Sequence, residues 1–182
     1  MREHQTEKPA SMPWRVPVAV EDVAETGERF ALVADADVRA AVAHLAGLRN
    51  LPRFEANFEV RRHGAGLHVA GRISATVGQA CVVTLEPLAN EVAEEIDLLF
   101  MPQPAVEREN GQTDAPDTSF DEAEPLVGGA IDLGAIAIEF LILGLDPYPR
   151  KPGAAFEPPQ DAKPDEGPFA ALAALKQGRD GR

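Results

Sequence analysis

The chain has 182 residues, of which 45% are apolar, and a formal net charge of −13 at pH 7. This length and composition predict one globular domain with appendages and argue against disorder along the whole chain. A single cysteine excludes an intramolecular disulfide and disfavours a secreted, disulfide-stabilised scaffold. We therefore expect a cytoplasmic protein.

The first elements alternate between strand and helix patterns. Residues 1–13 are polar, lack the apolar stretch of a signal peptide and are expected to be disordered. Apolar residues at a spacing of two predict a strand over 14–20, which Pro17 restricts to the edge of a sheet. A second strand is predicted over 28–33, and Asp35 is a candidate N-cap for the helix that follows it.

The clearest pattern is an antiparallel hairpin. Apolar and polar residues alternate over 54–60, and the alternation resumes over 67–77 after a glycine-containing turn. Gly71 interrupts the apolar phase, which predicts a bulge at that position. A further strand is predicted over 92–100.

Residues 102–124 are predicted to form a flexible acidic loop, because they carry prolines and acids without periodicity. Asp132 is a candidate N-cap for an apolar helix that ends at Leu143. Apolar residues cover most of this helix, so we expect it to be the central, buried one. A membrane span over 127–145 is disfavoured by Asp132 and Glu139, since a carboxylate at the centre of a span costs roughly 2.5–3.5 kcal/mol.

The end of the chain is predicted to be a tethered helix. The folded domain is expected to cover 14–150, followed by a proline-rich linker over 151–167 and a short helix over 168–177. Phe169 and Leu172 share one face of that helix. About ten residues are too few for a stable isolated helix. We therefore expect it to dock either on its own domain or in the groove of a partner.

Together these elements predict an α+β fold. A curved antiparallel sheet of five or six strands is expected to pack on the buried helix, with the acidic loop disordered and the last helix on its proline-rich tether. A partly closed barrel is the alternative, because strand order cannot be read from the sequence.

Two motifs, at 81–87 and 167–176, lie about eighty residues apart. The motif residues of the first are Cys81, Leu85, Glu86 and Pro87. In this order the two motifs resemble the YceD family, which is named for accumulation of large-subunit ribosomal RNA. Residues 131–133 and 145–149 also fit, so the resemblance covers roughly residues 14–177. It implies a non-catalytic ribosome-biogenesis factor that supports synthesis, processing or accumulation of this RNA.

Many YceD relatives carry a Cys-x-x-Cys that begins at the position of Cys81, whereas this chain has Thr84 in the second place. One thiol cannot supply the four ligands of a structural thiolate zinc site, and the four histidines lack paired ligand spacing. We therefore predict no metal and no cofactor, and interpret Cys81 as a buried strand residue. The sequence also lacks the glycine motifs that bind phosphates, and it does not indicate a pocket of paired carboxylates. No enzyme and no small-molecule substrate are predicted.

Charge is distributed unevenly along the chain. Twelve acids and one base lie between Glu86 and Glu124, whereas residues 49–72 carry five arginines and two acids. The candidate partner-binding residues are Glu107, Glu109, Asp114, Asp117, Asp121, Glu122, Glu124, Phe169 and Leu172. The candidate RNA-binding residues are Arg49, Arg53, Arg61, Arg62 and Arg72, which could converge at one end of the hairpin.

Two functional hypotheses follow from this charge distribution. In the first, the acidic segment binds a basic ribosomal protein or an RNA-processing enzyme, and the hairpin contacts precursor large-subunit RNA once docked. The alternative is a direct RNA-binding protein that uses the arginine-rich hairpin over 49–72. Five arginines in a chain of net charge −13 are a weak footprint for an RNA binder. A structural interpretation, with surface arginines paired to Glu55 and Glu59, also stays open.

Overall fold

A long five-stranded sheet is the main element of the structure, which is a computed structural model that describes residues 12–102 and 123–156. The α+β class predicted from the sequence is confirmed. The elements in chain order are β1 (Pro17–Ala19), a 3-10 turn (Val20–Asp22), β2 (Glu28–Val33), α1 (Ala36–Leu45), β3 (Asn50–His63), β4 (Gly66–Ala80), β5 (Pro87–Met101), β6 (Ala123–Pro125), β7 (Ala130–Asp132) and α2 (Leu133–Leu143).

The sheet is open, with the strand order β2-β3-β4-β5-β6. The sheet is therefore not closed, which is consistent with the predicted curved sheet, and the barrel alternative is wrong. Its pairs are antiparallel except for β5 with β6, which run parallel, so the prediction of a wholly antiparallel sheet fails at that end. The first predicted strand is shorter than expected, and β1 pairs with β7 in a separate two-stranded ribbon.

The predicted hairpin is formed by β3 and β4. Alternation along β3 directs Phe54 and Phe58 to the inner face, where both are buried. The register continues unbroken past Gly71, which lies opposite Phe58, and the irregularity falls instead between Asn50 and Arg53. The predicted bulge at Gly71 is therefore wrong. A Cβ on Gly71 would lie 2.8 Å from Cδ1 of Phe58, so the glycine leaves room for that ring.

Helix α1 begins where the sequence predicts. The carboxylate of Asp35 accepts a hydrogen bond from the N–H of Val38 at 2.8 Å, which satisfies one of the free donors at the helix start. Val42 and Ala43 are buried in the core, and α1 packs on β3. Gly47 follows with φ +65°, the left-handed conformation that commonly ends a helix.

Helix α2 is joined to the start of the chain through Asp132. Its carboxylate accepts hydrogen bonds from the N–H groups of Gly134 and Ala135 at 3.1 and 3.3 Å, as a helix cap does. The same oxygen accepts from the N–H of Val16 at 2.8 Å. One side chain therefore caps α2 and fixes the segment that leads into β1.

The prediction of a buried core helix is confirmed for most of α2, which packs on the inner face of β4 and β5. Leu133, Ile138 and Leu141 are fully buried. Leu143, which was expected to belong to the apolar surface of the helix, is 71% exposed in the last turn. Within the described ranges no helix is long and apolar enough to cross a membrane.

The boundaries of the predicted acidic loop need one correction. Residues 123–125 form β6 and pair with the end of β5, so the loop predicted over 102–124 ends earlier. The rest of that loop lies outside the described residues. So do most of the predicted N-terminal segment, most of the proline-rich linker and the whole predicted helix over 168–177.

Candidate interaction surfaces

The outer face of the sheet carries charged side chains in rows that cross the strands. In the first row, Arg53 of β3 lies 2.7 Å from a carboxylate oxygen of Glu91 of β5. Thr76 of β4 lies between them and donates to the other oxygen of Glu91 at 2.7 Å. The bonds from Thr76 and Arg53 hold the pKa of the Glu91 carboxyl below its usual value. Arg53 is therefore engaged by an acid two strands away.

Two further rows repeat this arrangement. Arg72 lies 3.2 Å from Glu95, and His68 lies 2.8 Å from Asp97, in each case linking β4 to β5. Both pairs are exposed to solvent, so each holds its partners only weakly.

On β3, Arg61 is bonded to Glu59 of the same strand and Arg29 of β2 lies 3.8 Å from that acid. The hydrogen bond from Arg61, helped by the charges of Arg61 and Arg29, lowers the pKa of the Glu59 carboxyl.

The candidate RNA-binding arginines do not converge at one end of the hairpin. Arg53 and Arg61 are eight residues apart on β3, which is about 26 Å at roughly 3.3 Å per residue. Arg62 donates to the carbonyl oxygens of Val23 and Glu21 at 2.6 and 2.8 Å, and so anchors the hairpin to the 3-10 turn region.

Arg49 lies apart from the other four, beside α1. With Arg39 and His44 it lines an open depression of about 470 Å³. A second open depression, of about 510 Å³, lies on the outer face of the sheet and is lined in part by Arg29, Glu59 and Arg72.

The acids between Glu86 and Glu124 fall into two groups, one on or just before β5 and one that follows β5 in the chain. The first lies on or just before β5 and consists of Glu86, Glu91, Glu94, Glu95 and Asp97. Of the candidate partner-binding residues, Glu124 lies on β6 and is exposed. The others lie outside the described residues, and these are Glu107, Glu109, Asp114, Asp117, Asp121, Glu122, Phe169 and Leu172.

The motif at 81–87 forms the turn from β4 to β5. The N–H of Cys81 donates to the carbonyl of Glu86 at 2.8 Å, and the N–H of Leu85 donates to the carbonyl of Cys81 at 2.9 Å. Leu85 adopts φ +60°, an uncommon conformation for a residue with a side chain, and is 75% exposed. Pro87 is the first residue of β5, where a missing N–H is tolerated.

This turn docks on the segment that follows α2. The N–H of Val82 donates to the carbonyl of Pro149 at 2.9 Å, and the ammonium group of Lys151 lies 3.1 Å from a carboxylate oxygen of Glu86. The hydrogen bonds from Lys151 and Thr84 lower the pKa of the Glu86 carboxyl. Lys151 was expected to begin a linker, yet it contacts the folded domain. One indirect signal of this contact is present in the sequence, since residues 145–149 fit the same family as the turn.

Cys81 is buried at the centre of this junction, just beyond the last residue of β4 rather than within a strand. Its sulfur accepts the N–H of Lys151 at 3.4 Å and the N–H of Thr84 at 3.5 Å. The bond from Lys151, followed by those from Thr84, lowers the pKa of the thiol to about 6, so the thiolate is favoured at neutral pH. Within the part of the chain that the structure describes, no three acid, histidine or cysteine side chains are grouped to hold a metal ion.

Comparison with protein-family models matches residues 69–176 to the family described as "Large ribosomal RNA subunit accumulation protein YceD". The match covers more than half of the chain and includes β5, α2 and both sequence motifs. Searches of curated proteins and of solved structures gave no match.

Proposed function

The chain belongs to the YceD family, and on that premise we propose that it is a non-catalytic ribosome-biogenesis factor that works by binding a basic protein partner. The family description assigns a role in the accumulation of large-subunit ribosomal RNA and names no reaction. The partner is a basic ribosomal protein or an RNA-processing enzyme, bound alone or within a pre-ribosomal particle.

The observation that carries this mechanism is the pairing of the hairpin arginines with acids. Arg53 faces Glu91 and Arg72 faces Glu95, both across the sheet, while Arg61 is bonded to Glu59 on its own strand. An arginine that already faces a carboxylate has to lose that contact before it can bind a phosphate.

The central segment of the sequence has a strong excess of acids. Residues 107–124 carry seven acids and one base. Such a concentration of one sign of charge attracts a partner of the opposite sign and raises the rate of encounter. A basic protein surface therefore suits this segment better than RNA does.

Neutralising part of the segment tests the proposal. In one variant Glu107, Glu109, Asp114 and Asp117 become glutamine or asparagine, and full-length protein is used to purify pre-large-subunit particles. We expect about tenfold less co-purification, because charges at an interface raise the rate of encounter and fix how the two partners are aligned.

The matched control removes four acids elsewhere, at Glu21, Asp22, Glu25 and Glu28, all of which are exposed. It changes the net charge equally but should leave the association intact. Equal recovery of particles with both variants and with the unmodified protein would refute the proposal.

A second candidate is direct RNA binding, which the position of Arg49 favours. Arg49, Arg39 and His44 surround one depression, and no acid lines it. In a gel-shift with precursor large-subunit RNA, this alternative predicts binding by the isolated protein that falls steeply as salt rises. It also predicts a loss of binding on changing Arg49 and Arg61 to alanine, whereas Arg62 is unsuitable because it anchors backbone carbonyls. The proposed function expects little binding until the partner protein is added.

A further inference from the structure

Among the residues that the structure describes, the edge of β5 that faces away from β4 is unpaired along most of its length. The described ladders pair this edge only over Leu99–Met101, with the three residues of β6. Residues 87–98 of β5 are paired with β4 on one side and, within the described residues, with no strand on the other. An open strand edge is a template for the addition of another strand.

The backbone groups that point out of this edge can be identified from the alternation of hydrogen bonds along the strand. In an antiparallel pair, opposed residues alternate between those that bond each other and those that do not. Cys81 and Glu86 are opposed and bonded, with an N–H to oxygen distance of 2.8 Å. Counting in twos from Glu86, the even-numbered residues of β5 bond to β4. The odd-numbered residues direct their N–H and C=O groups outward, and these are Ala89, Glu91, Ala93, Glu95 and Asp97.

A hydrogen bond at the other end of β5 is consistent with this alternation. Met101 is odd-numbered, and its carbonyl accepts the N–H of Leu126 at 2.8 Å on the outer side. The outward direction of the odd-numbered residues is therefore observed directly where the edge is covered.

The side chains along the open edge determine what can bind there. Residues 87–98 include four acids and no base, and three of the acids, Glu91, Glu95 and Asp97, belong to the outward-bonding residues. A second copy of this edge would bring like charges together, and so would the acid-rich sequence over 107–124. Both are unfavourable across a strand pair. A basic strand is the complementary occupant.

The two faces of β5 also differ. On the outer face an added strand would meet Glu91, Glu95 and Asp97, whereas on the inner face it would meet Val92 and Ile96, which are buried beside the core, with Glu94 between them. Because side chains alternate between faces, a fitting strand alternates basic and apolar residues.

We propose that the open edge of β5, from Ala89 to Asp97, binds an extended basic peptide as an added sheet strand. This inference rests on the proposed function, and it specifies how the basic partner is held. Main-chain hydrogen bonds to the odd-numbered residues supply affinity, and the acids select a basic sequence.

Amide hydrogen exchange on the full-length protein provides the first test. In the free protein, the amides of Glu91, Ala93 and Glu95 should exchange faster than those of Val92 and Glu94. A synthetic peptide of about eight residues that alternates lysine and valine, long enough to span the edge, should slow exchange at the odd-numbered amides. The same peptide with glutamate in place of lysine should not.

Proline at an edge position separates strand addition from simple charge attraction. Ala93→Pro removes one outward N–H and leaves the bonds to β4 in place, as proline at a sheet edge does. We expect it to weaken binding of the lysine–valine peptide about tenfold. Ala93→Val keeps the N–H and should bind as the unmodified protein does. Retained protection of the amides of Val92 and Glu94 confirms that the proline variant is folded.

Four results would overturn the inference. Slow exchange of the odd-numbered amides in the free protein would mean that the edge is already covered, by the chain itself or by a second copy. Peptide binding that Ala93→Pro does not weaken would mean that no strand is added. If the peptide does not bind, the acids along the edge serve only to prevent aggregation. Particle association that survives Ala93→Pro but is lost on neutralising acids of the central segment would reject strand addition and keep the proposed function.

Discussion

At Cys81 the groups that favour the thiolate are backbone N–H donors and the side chain of Thr84, and no cation is among them. The neighbouring sequence is acidic, which by itself gives no reason to expect a lowered pKa. The donor with the largest effect on the thiol pKa is the N–H of Lys151, seventy residues further along the chain. A contact between such distant residues depends on tertiary structure, so the state of this thiol could not be predicted from the residues around it.

The lowered pKa makes stability depend on pH. The folded pKa is about 6 and the usual value is 9.0, so the unfolded chain binds more protons between these two values. The contribution of the thiolate to stability is therefore present above about pH 9 and is lost as the pH falls through about 6. Urea unfolding across this range should show a rise of stability with pH that Cys81→Ala lacks. The thiolate absorbance of the folded protein should titrate near pH 6, and a midpoint near 9 would contradict the assignment.

Elements that depend on short-range patterns were predicted well. The cap of α1 by Asp35 and that of α2 by Asp132 each involve a donor no more than three residues away. The hairpin of β3 and β4 follows from alternation on each side of a short turn. The parallel pairing of β6 was missed because its partner lies more than twenty residues away. Gly71 was misread because a missing side chain can indicate either a bulge or a close neighbour.

The close neighbour of Gly71 leads to a prediction for β4. Gly71→Ala would place its Cβ 2.8 Å from the ring of Phe58 and close to the carbonyl oxygen of Asn57. Backbone atoms cannot move away easily, so we expect a loss of about 1–3 kcal/mol in the free energy of unfolding, as for overpacked cores. Urea denaturation measures it. Ala70→Ser adds one atom to the neighbouring residue on the outer face and should change stability by less than about 0.5 kcal/mol. Equal stability of the two variants would contradict the packing.

Over the whole molecule, the charge asymmetry of the sequence becomes partly balanced in the structure. The basic hairpin and the acidic strand β5 are separate in sequence but lie in one sheet, where Arg53 faces Glu91 and Arg72 faces Glu95 in exposed pairs. The sequence showed that both charged regions exist. It could not show that β5 lies beside β4, because sequence does not reveal strand order.

Salt should therefore affect folding and binding differently. Raising sodium chloride from about 0.1 M to 1 M shortens the screening length from about 10 Å to about 3 Å. The ion pairs of the outer face are exposed and weak, so the melting temperature should shift by less than about 4 °C. Binding of the lysine–valine peptide should weaken at least about tenfold over the same range. Calorimetry and fluorescence anisotropy measure the two quantities, and a peptide affinity that salt leaves unchanged would contradict an electrostatic contribution.

The contacts of Pro149 and Lys151 with the turn between β4 and β5 limit how far the protein can be shortened from its C-terminal side. A fragment ending at Phe156 retains the acceptor for Val82, the donor for the Cys81 sulfur and the cation beside Glu86. A fragment ending at Gly144 keeps every helix and strand that the structure describes yet loses all three. The smallest self-sufficient unit of this domain therefore extends at least eight residues beyond α2, through a stretch with no regular secondary structure.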